Sequence, residues 1–273
     1  MKRIILSCLF ILSICTVSYS QDSIPAGDSL KSTITAANNL SQVNVLATAA
    51  YNDGRYYEAI EILENEKKDQ LTKGLESTAL YYNLGNAYFR VGDLAHARLN
   101  YEKALLLDPG DRDTRHNIEY ISTKIDDKIL VADTFFLNIW FRAVQNLFSS
   151  NTWAVIAVVC CLLFIACLAV FFFSRRILMK KTAFYIGIVM IIVVVFSNIF
   201  TFAQKHKIEE RDTAIVMVGS APIVSSPDIN SKELFVLHAG TKVSVTKEDR
   251  NWYEIEIDNG SVGWIQKDKL EII

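Results

Sequence analysis

The sequence predicts a multidomain chain: an all-α repeat solenoid, a two-helix transmembrane hairpin and a small all-β barrel. Three observations carry that prediction. Two charge-free apolar runs, Trp153–Phe173 and Thr182–Phe202, stand on either side of a basic loop. Before them the apolar pattern is helical and it repeats. After residue 212 it turns to period two.

Each apolar run is about the length that crosses a hydrocarbon core of ~30 Å as a helix. The loop between them, Ser174–Lys181, carries Arg175, Arg176, Lys180 and Lys181 and no acid. It is too short to let the second helix leave on the far side, so residues 151–203 form a hairpin, with spans 153–173 and 182–202. Everything before and after it then lies in one compartment. Basic residues packed between two spans mark the cytoplasmic side, so both soluble parts are expected in the periplasm of a bacterial inner membrane. Neither span holds an ionisable residue, which argues against an ion pathway. Ser197-Asn198 is a polar spot suited to helix–helix hydrogen bonding.

Length allows one or two soluble domains beside the membrane part: the chain has 273 residues and a formal net charge of −2. That charge, with no dense basic patch outside the loop, argues against nucleic-acid binding. Cys8 and Cys15 fall near the N-terminus and Cys160, Cys161 and Cys167 in the first span. No cysteine is left in the soluble regions for a disulfide or a thiolate metal site. Met1-Lys2-Arg3, the apolar stretch Ile4–Val17 and the small residues of Ser18-Tyr19-Ser20 read as a signal peptide over 1–20. A lipoprotein reading through Cys15 is weakened by the bulky Ile14. Export agrees with the orientation derived from the loop. Residues 21–39 are polar, small and without periodicity, as in a disordered leader.

Helical repeats are expected over 40–125. The clear copy runs Tyr81-x-x-Leu84-Gly85-x-x-Tyr88, Ala97-x-x-x-Tyr101, Ala104 and Pro109. Gly85 and Ala97 are small where two helices approach closely, Tyr88 and Tyr101 fill the space beside them, Gly92-Asp93 turns the chain and Pro109 stops the second helix. This spacing resembles the tetratricopeptide repeat. A weaker copy lies upstream: Leu46, Ala47 and Ala50, the turn Asn52-Asp53-Gly54, then Tyr57-x-Ala59 through Leu63, with an insertion around Thr72–Ser77. Asp111–Lys124 begins a third copy, with Glu119 where close packing wants a small residue, as a capping helix does. Two and a half repeats are near the minimum for stability, so a tether or partner is expected to help.

Residues 126–150 form an aromatic juxtamembrane segment. Phe136, Trp140 and Val144 fall on one helical face, with Asn138, Arg142 and Gln145 elsewhere. That face suits the membrane interface; the other reading packs it on the repeats.

Gln204–Arg211 reads as a charged connector. Beyond it Ala214–Val218, Leu234–His238, Thr241–Thr246, Trp252–Ile257 and Gly263–Ile265 are expected as five short strands of a small barrel, with a tight turn at Asp258-Asn259-Gly260. Ala239-Gly240-Thr241-Lys242-Val243, Asn251-Trp252-Tyr253-Glu254-Ile255, Gly263-Trp264-Ile265 and a closing turn at Leu270 resemble a bacterial SH3 domain over 212–273. The order of signal, repeats, hairpin and barrel resembles the BatE-type proteins of the Bacteroides aerotolerance group. That resemblance implies an inner-membrane adaptor working beside von Willebrand factor A membrane proteins and a MoxR-type ATPase.

Catalytic motifs are lacking. His96, His116, His206 and His238 are not paired at ligand spacing, and no GxSxG, phosphate loop or GxGxxG occurs. A non-enzyme is expected, with no cofactor and no metal. In tetratricopeptide repeats the first helix of each pair lines a concave groove, which here implies Tyr82, Asn86, Phe89 and Arg90, with His116 and Tyr120 from the capping helix. Such a set suits an extended peptide, the amide binding its backbone and the guanidinium its acids; the alternative makes Phe89 or Tyr120 plain core. On the barrel, Trp252, Tyr253 and Trp264 are the conspicuous aromatics, one or two in the core and the remainder on the surface. Expected partners are therefore proteins or peptides, with peptidoglycan as the alternative ligand of the barrel.

Overall fold

The computed structural model describes residues 43–125, 127 and 136–273. The signal peptide, the leader and most of 126–135 lie outside the described residues. Two compact units result: the hairpin unit Gln145–His206, and one that joins residues 43–144 to Lys207–Ile273.

In the second unit the helices come in antiparallel pairs: α1 (residues 43–52) with α2 (Tyr56–Thr72), and α3 (Thr78–Arg90) with α4 (Leu94–Leu107). The single helix α5 (Arg112–Ser122) closes the stack. The starts follow from sequence. Asp93 accepts the His96 N–H at 3.1 Å and Asp111 the Asp113 N–H at 3.0 Å, each capping an otherwise orphaned donor. Gly85 has the close-approach role expected of it: a Cβ there would come within 2.6 Å of the Tyr101 ring. Ala47, Leu63, Leu80 and Leu84 make one core cluster, and Ala97, Tyr101, Ile121 and Ile125 the next. Of the three residues that mark the weaker copy, Ala47 and Ala50 are buried and Leu46 is exposed. The capping helix buries Thr114 and Ile121 and turns Glu119 to solvent. The upstream insertion is a longer helix: α2 runs past Leu63 to Thr72, because Glu64–Leu71 contains only helix-compatible residues, and the turn falls at Gly74.

The all-β part has seven antiparallel strands: β1 (Thr213–Val216), β2 (Ser220–Val224), β3 (Glu233–His238), β4 (Lys242–Asp249), β5 (Trp252–Glu256), β6 (Val262–Gln266) and β7 (Leu270–Ile272). They are ordered β3-β2-β6-β5-β4-β1-β7. Two of these were not expected. Strand β2 contains Pro222, a residue that argues against a central strand, and joins β6 through the single pair Val224↔Trp264. Strand β7, read as a closing turn, pairs with β1 through Ala214↔Ile272 and Val216↔Leu270. Its core is Ala214, Val216, Ala221, Ile223, Leu237, Val243, Ile255, Ile257, Ile265 and Leu270.

Repeats and sheet belong to one unit because they share a core. Leu99 on α4 packs with Ile215 on β1 and Ile273 at the chain end, with Leu106 and Met217 beside them. Ala214, Ile215 and Val216 are all fully buried, so β1 is covered on both faces. Around that contact lie polar ties. Lys242 meets Glu102 at 2.6 Å and Lys103 meets Glu271 at 2.9 Å. Arg211 pairs with Glu76, which also accepts the Tyr81 hydroxyl at 2.7 Å. Asp127, just past the capping helix, accepts from the His238 N–H and the Thr241 hydroxyl, each at 2.7 Å, and meets His238 Nδ1 at 2.7 Å. Between those two residues Gly240 lies at φ +88°, where a Cβ would come within 2.9 Å of Ile125. The short solenoid thus shares its core with the sheet.

In the hairpin unit α7 (Ser150–Phe173) and α8 (Ile177–Glu210) are long and apolar enough to span a membrane. The turn between them is shorter than expected: only 174–176 is non-helical, and Lys180-Lys181 lie in the first turns of α8. Gln204–Glu210, expected as a connector, continues α8, since it holds strong helix formers and no Gly or Pro. Helix α6 (Phe136–Gln145) precedes α7.

Candidate functional site

Groove residues come from α1, α3 and α5. Registering Gly54 on Gly92 puts Thr48, Tyr51 and Asn52 of α1 at the positions of Asn86, Phe89 and Arg90 of α3. A cavity of about 220 Å³ opens there, lined by Thr48, Tyr51, Asn52, Asn83 and Asn86 over an apolar floor of Ala47, Ala59 and Leu63. Of the expected residues only Asn86 lines it. Its Oδ1 accepts the Tyr101 hydroxyl at 2.6 Å and Asn117 Nδ2 at 3.4 Å, which orients the amide and leaves Nδ2 as its remaining donor. Burial holds the Tyr101 hydroxyl well above the usual phenol range, so it stays a donor.

Arg90 is drawn toward the first repeat. Its Nε donates to the Tyr51 hydroxyl at 3.1 Å, and its guanidinium stands 5.7 Å and 5.5 Å from the Tyr51 and Tyr56 ring centres. The other expected aromatics form ring pairs: Tyr82 on Tyr101 at 5.9 Å, Phe89 edge-on to Tyr120 at 5.7 Å, and Lys124 4.9 Å above Tyr120. Tyr82 and Phe89 also pack on the second core cluster. His116 and Tyr120 are exposed on α5. Neither α1 nor α3 contains an acid, whereas α2 carries Glu58, Glu61, Glu64, Glu66 and Asp69. The wall that α1 and α3 provide is neutral to basic, whereas α5 carries Asp113 and Glu119, both exposed. Thr48, Tyr51, Asn52 and Asn83 were missed by sequence reasoning; the Gly54–Gly92 register was the signal that could have found the first three.

On the sheet, burial alternates along β6, and Ile255 is the buried residue of its neighbour β5. Ile255, Gly263 and Ile265 face the core, which puts Trp252 and Trp264 on the opposite face. Trp252 faces Gln266 and Trp264 faces Glu254, so the two indoles are diagonal neighbours. Tyr253 is the aromatic that packs on the core, and Lys267 Nζ covers its ring at 4.8 Å. Beside the indoles, hydrogen bonds from Lys247 and Thr246 hold the Glu254 carboxyl below the usual carboxylate range. Among the described residues no group of three or more His, Cys, Asp or Glu could hold a metal ion.

Comparison with known proteins agrees with both geometries. Residues 78–111 match the tetratricopeptide repeat family model, and residues 223–271 match that of the bacterial SH3 domain. The chain carries a tetratricopeptide repeat and a bacterial SH3 domain. Over 82 residues it is 30% identical to Tetratricopeptide repeat protein 16 of Mus musculus and 29% identical to that of Homo sapiens. Those stretches make up 30% of this chain and 10% and 9% of the two relatives, so the likeness covers only a small part of either relative.

Proposed function

We propose that this protein is a membrane-anchored adaptor whose tetratricopeptide groove binds an extended segment of a partner protein. The observation that carries the reading is the cavity between α1 and α3, where Thr48, Tyr51, Asn52, Asn83 and Asn86 converge. Side-chain amides and hydroxyls pair with both donors and acceptors of a peptide backbone. The acid-free α1 and α3 sides of the cavity favour a neutral or acidic segment there. In this reading the hairpin holds the unit on the outer face of a bacterial inner membrane, as the basic loop suggests. The role is binding, not catalysis. The likeness to BatE-type proteins suggests von Willebrand factor A membrane proteins as partners, in an aerotolerance or stress-related complex.

A photo-crosslinker at Asn83 in the full-length chain, in native membranes, tests this. A discrete protein adduct that disappears in Tyr51→Ala is expected. Adducts to lipid alone, or an adduct indifferent to Tyr51, would sink the proposal.

A second reading is favoured by one observation: Trp252 and Trp264 share the outer face of the SH3 domain, where indoles can stack on sugar rings. In that reading the domain binds peptidoglycan and the repeats recruit an envelope enzyme. Co-sedimentation of the full chain with purified peptidoglycan, lost in Trp264→Ala, would support it. Equal sedimentation of both proteins would remove it.

A further inference from the structure

Within the hairpin unit, α7 and α8 do not close on each other completely near the loop. A cavity of about 260 Å³ opens between them, walled by Phe164 and Phe171 of α7 and by Ala183, Phe184, Gly187 and Ile188 of α8. The Phe171 and Phe184 rings stand 6.2 Å apart at its loop end. No charged, amide or hydroxyl side chain lines it. Gly187 is buried, yet a Cβ there would meet the Phe164 ring at an ordinary 3.5 Å. Helix contact therefore does not demand a glycine at this position; what the glycine leaves is room.

Cations stand at the loop end of this cavity. Lys180 precedes Ala183 by three residues and Phe184 by four, so it lies on the same face of α8, one turn nearer the loop. It is half-buried, and Arg175, Arg176 and Lys181 around it are exposed. From residue 134 to residue 208 the sequence holds no Asp or Glu, so no carboxylate of the hairpin unit can neutralise the four charges. A lysine can run its stem along apolar surface and set its ammonium at headgroup level. An apolar slot that ends in uncompensated cations is complementary to an acyl chain that ends in a phosphate, and basic pockets between membrane helices hold anionic headgroups in this way. A partner helix fits less well. One helical turn, ~10 Å across and ~5.4 Å high, exceeds the cavity, and an apolar span would bring the cations no counter-charge.

We propose that the loop end of the hairpin is a binding site for one anionic phospholipid, with an acyl chain in the slot beside Gly187 and the phosphate on Lys180 and its basic neighbours. The inference rests on the hairpin spanning the membrane, and its test separates the two. The full chain carrying Ile188→p-benzoylphenylalanine is reconstituted into phosphatidylcholine vesicles with a minor fraction of phosphatidylglycerol and washed with alkaline carbonate. Release into the supernatant would refute the hairpin reading itself, and the proposal with it. Retained protein is illuminated and its lipid adducts are identified by mass. Phosphatidylglycerol is expected to be enriched about fivefold or more over its share of the vesicle. The same probe at Ile186, on another side of α8, should sample the two lipids in their bulk ratio. Lys180→Gln combined with Lys181→Gln should remove most of the enrichment, while Arg175 and Arg176 still support insertion. Equal enrichment at Ile186 and Ile188, or enrichment that survives the double substitution, would leave only the general attraction of a basic loop for anionic membranes. Lipid in the bulk ratio at Ile188 would make the slot unselective, and a protein adduct there would make it a protein interface. Each of these results overturns the proposal.

Discussion

The Lys242 ammonium sits 2.6 Å from the Glu102 carboxylate, on the line where the SH3 sheet meets the repeats. Glu102 is almost completely buried, with Arg98 3.6 Å away as a second cation. Removing one member of such a pair leaves a buried charge, whereas replacing both with apolar groups is often neutral. Lys242→Met is expected to destabilise the unit by about 2 kcal/mol, and Glu102→Leu combined with Lys242→Met to recover most of that. Thermal unfolding of the detergent-solubilised chain, followed by near-ultraviolet circular dichroism, reads the cycle. Additive losses would show that the pair does not couple.

Packing at Gly85 gives a sharper expectation. A methyl group there would enter the Tyr101 ring, and overpacking of this kind costs about 1–3 kcal/mol. Gly85→Ala should lower the midpoint of urea unfolding without changing the groove residues themselves. Tyr101→Phe should cost about 1 kcal/mol through loss of the bond to Asn86, and should weaken partner capture because the amide is no longer oriented.

Acid sensitivity follows from Asp127. Partial desolvation opposes its charge, but hydrogen bonds from His238 and Thr241 prevail and hold the carboxyl below the usual carboxylate range. A depressed folded pKa means the contribution is complete above the unfolded value of about 4 and is lost as pH falls through the folded value. Asp127→Asn should therefore flatten the acid limb of a plot of melting temperature against pH below about pH 4. An unchanged acid limb would remove Asp127 from the account.

The hairpin prediction concerns compartments. Cysteines introduced at Glu61 and Asn230, both exposed positions, should react with an impermeant maleimide in cells whose outer membrane is permeabilised. Protection of either site would overturn the orientation inferred from Arg175, Arg176, Lys180 and Lys181.

Much of this architecture was legible in the residues. Gly85, Tyr101 and Pro109 announce the repeat because their roles are local, and the apolar runs announce two long apolar helices because composition alone marks them. The contact between the modules was harder to see. Leu99 has the spacing of an ordinary amphipathic helix, and nothing in a periodic pattern says which element it meets. One clue was present: Ala214–Val218 is apolar at every position and does not alternate, the mark of a strand covered on both faces. The groove was half legible. Asn86 was recognised, but Thr48, Tyr51 and Asn52 lie in a weak copy where only the Gly54 register reveals them, and the tyrosine pair that holds Arg90 is formed by packing across repeats. Strand β2 escaped because Pro222 argues against a strand unless the partner ladder is nearly absent, as it is toward β6.

The shared core of Leu99, Ile215 and Ile273 makes its unit discontinuous in sequence, with α7 and most of α8 inserted between the two halves. In the topology proposed above, its assembly has to wait for the membrane. The repeats would emerge first and remain unfinished until β1 arrives after a second crossing. Were one span to fail in that topology, the halves would be stranded on opposite sides of the bilayer and Leu99 would never meet its strand. Correct insertion would thereby be read out as folding of the unit, and a chain with the wrong topology would display an exposed apolar seam.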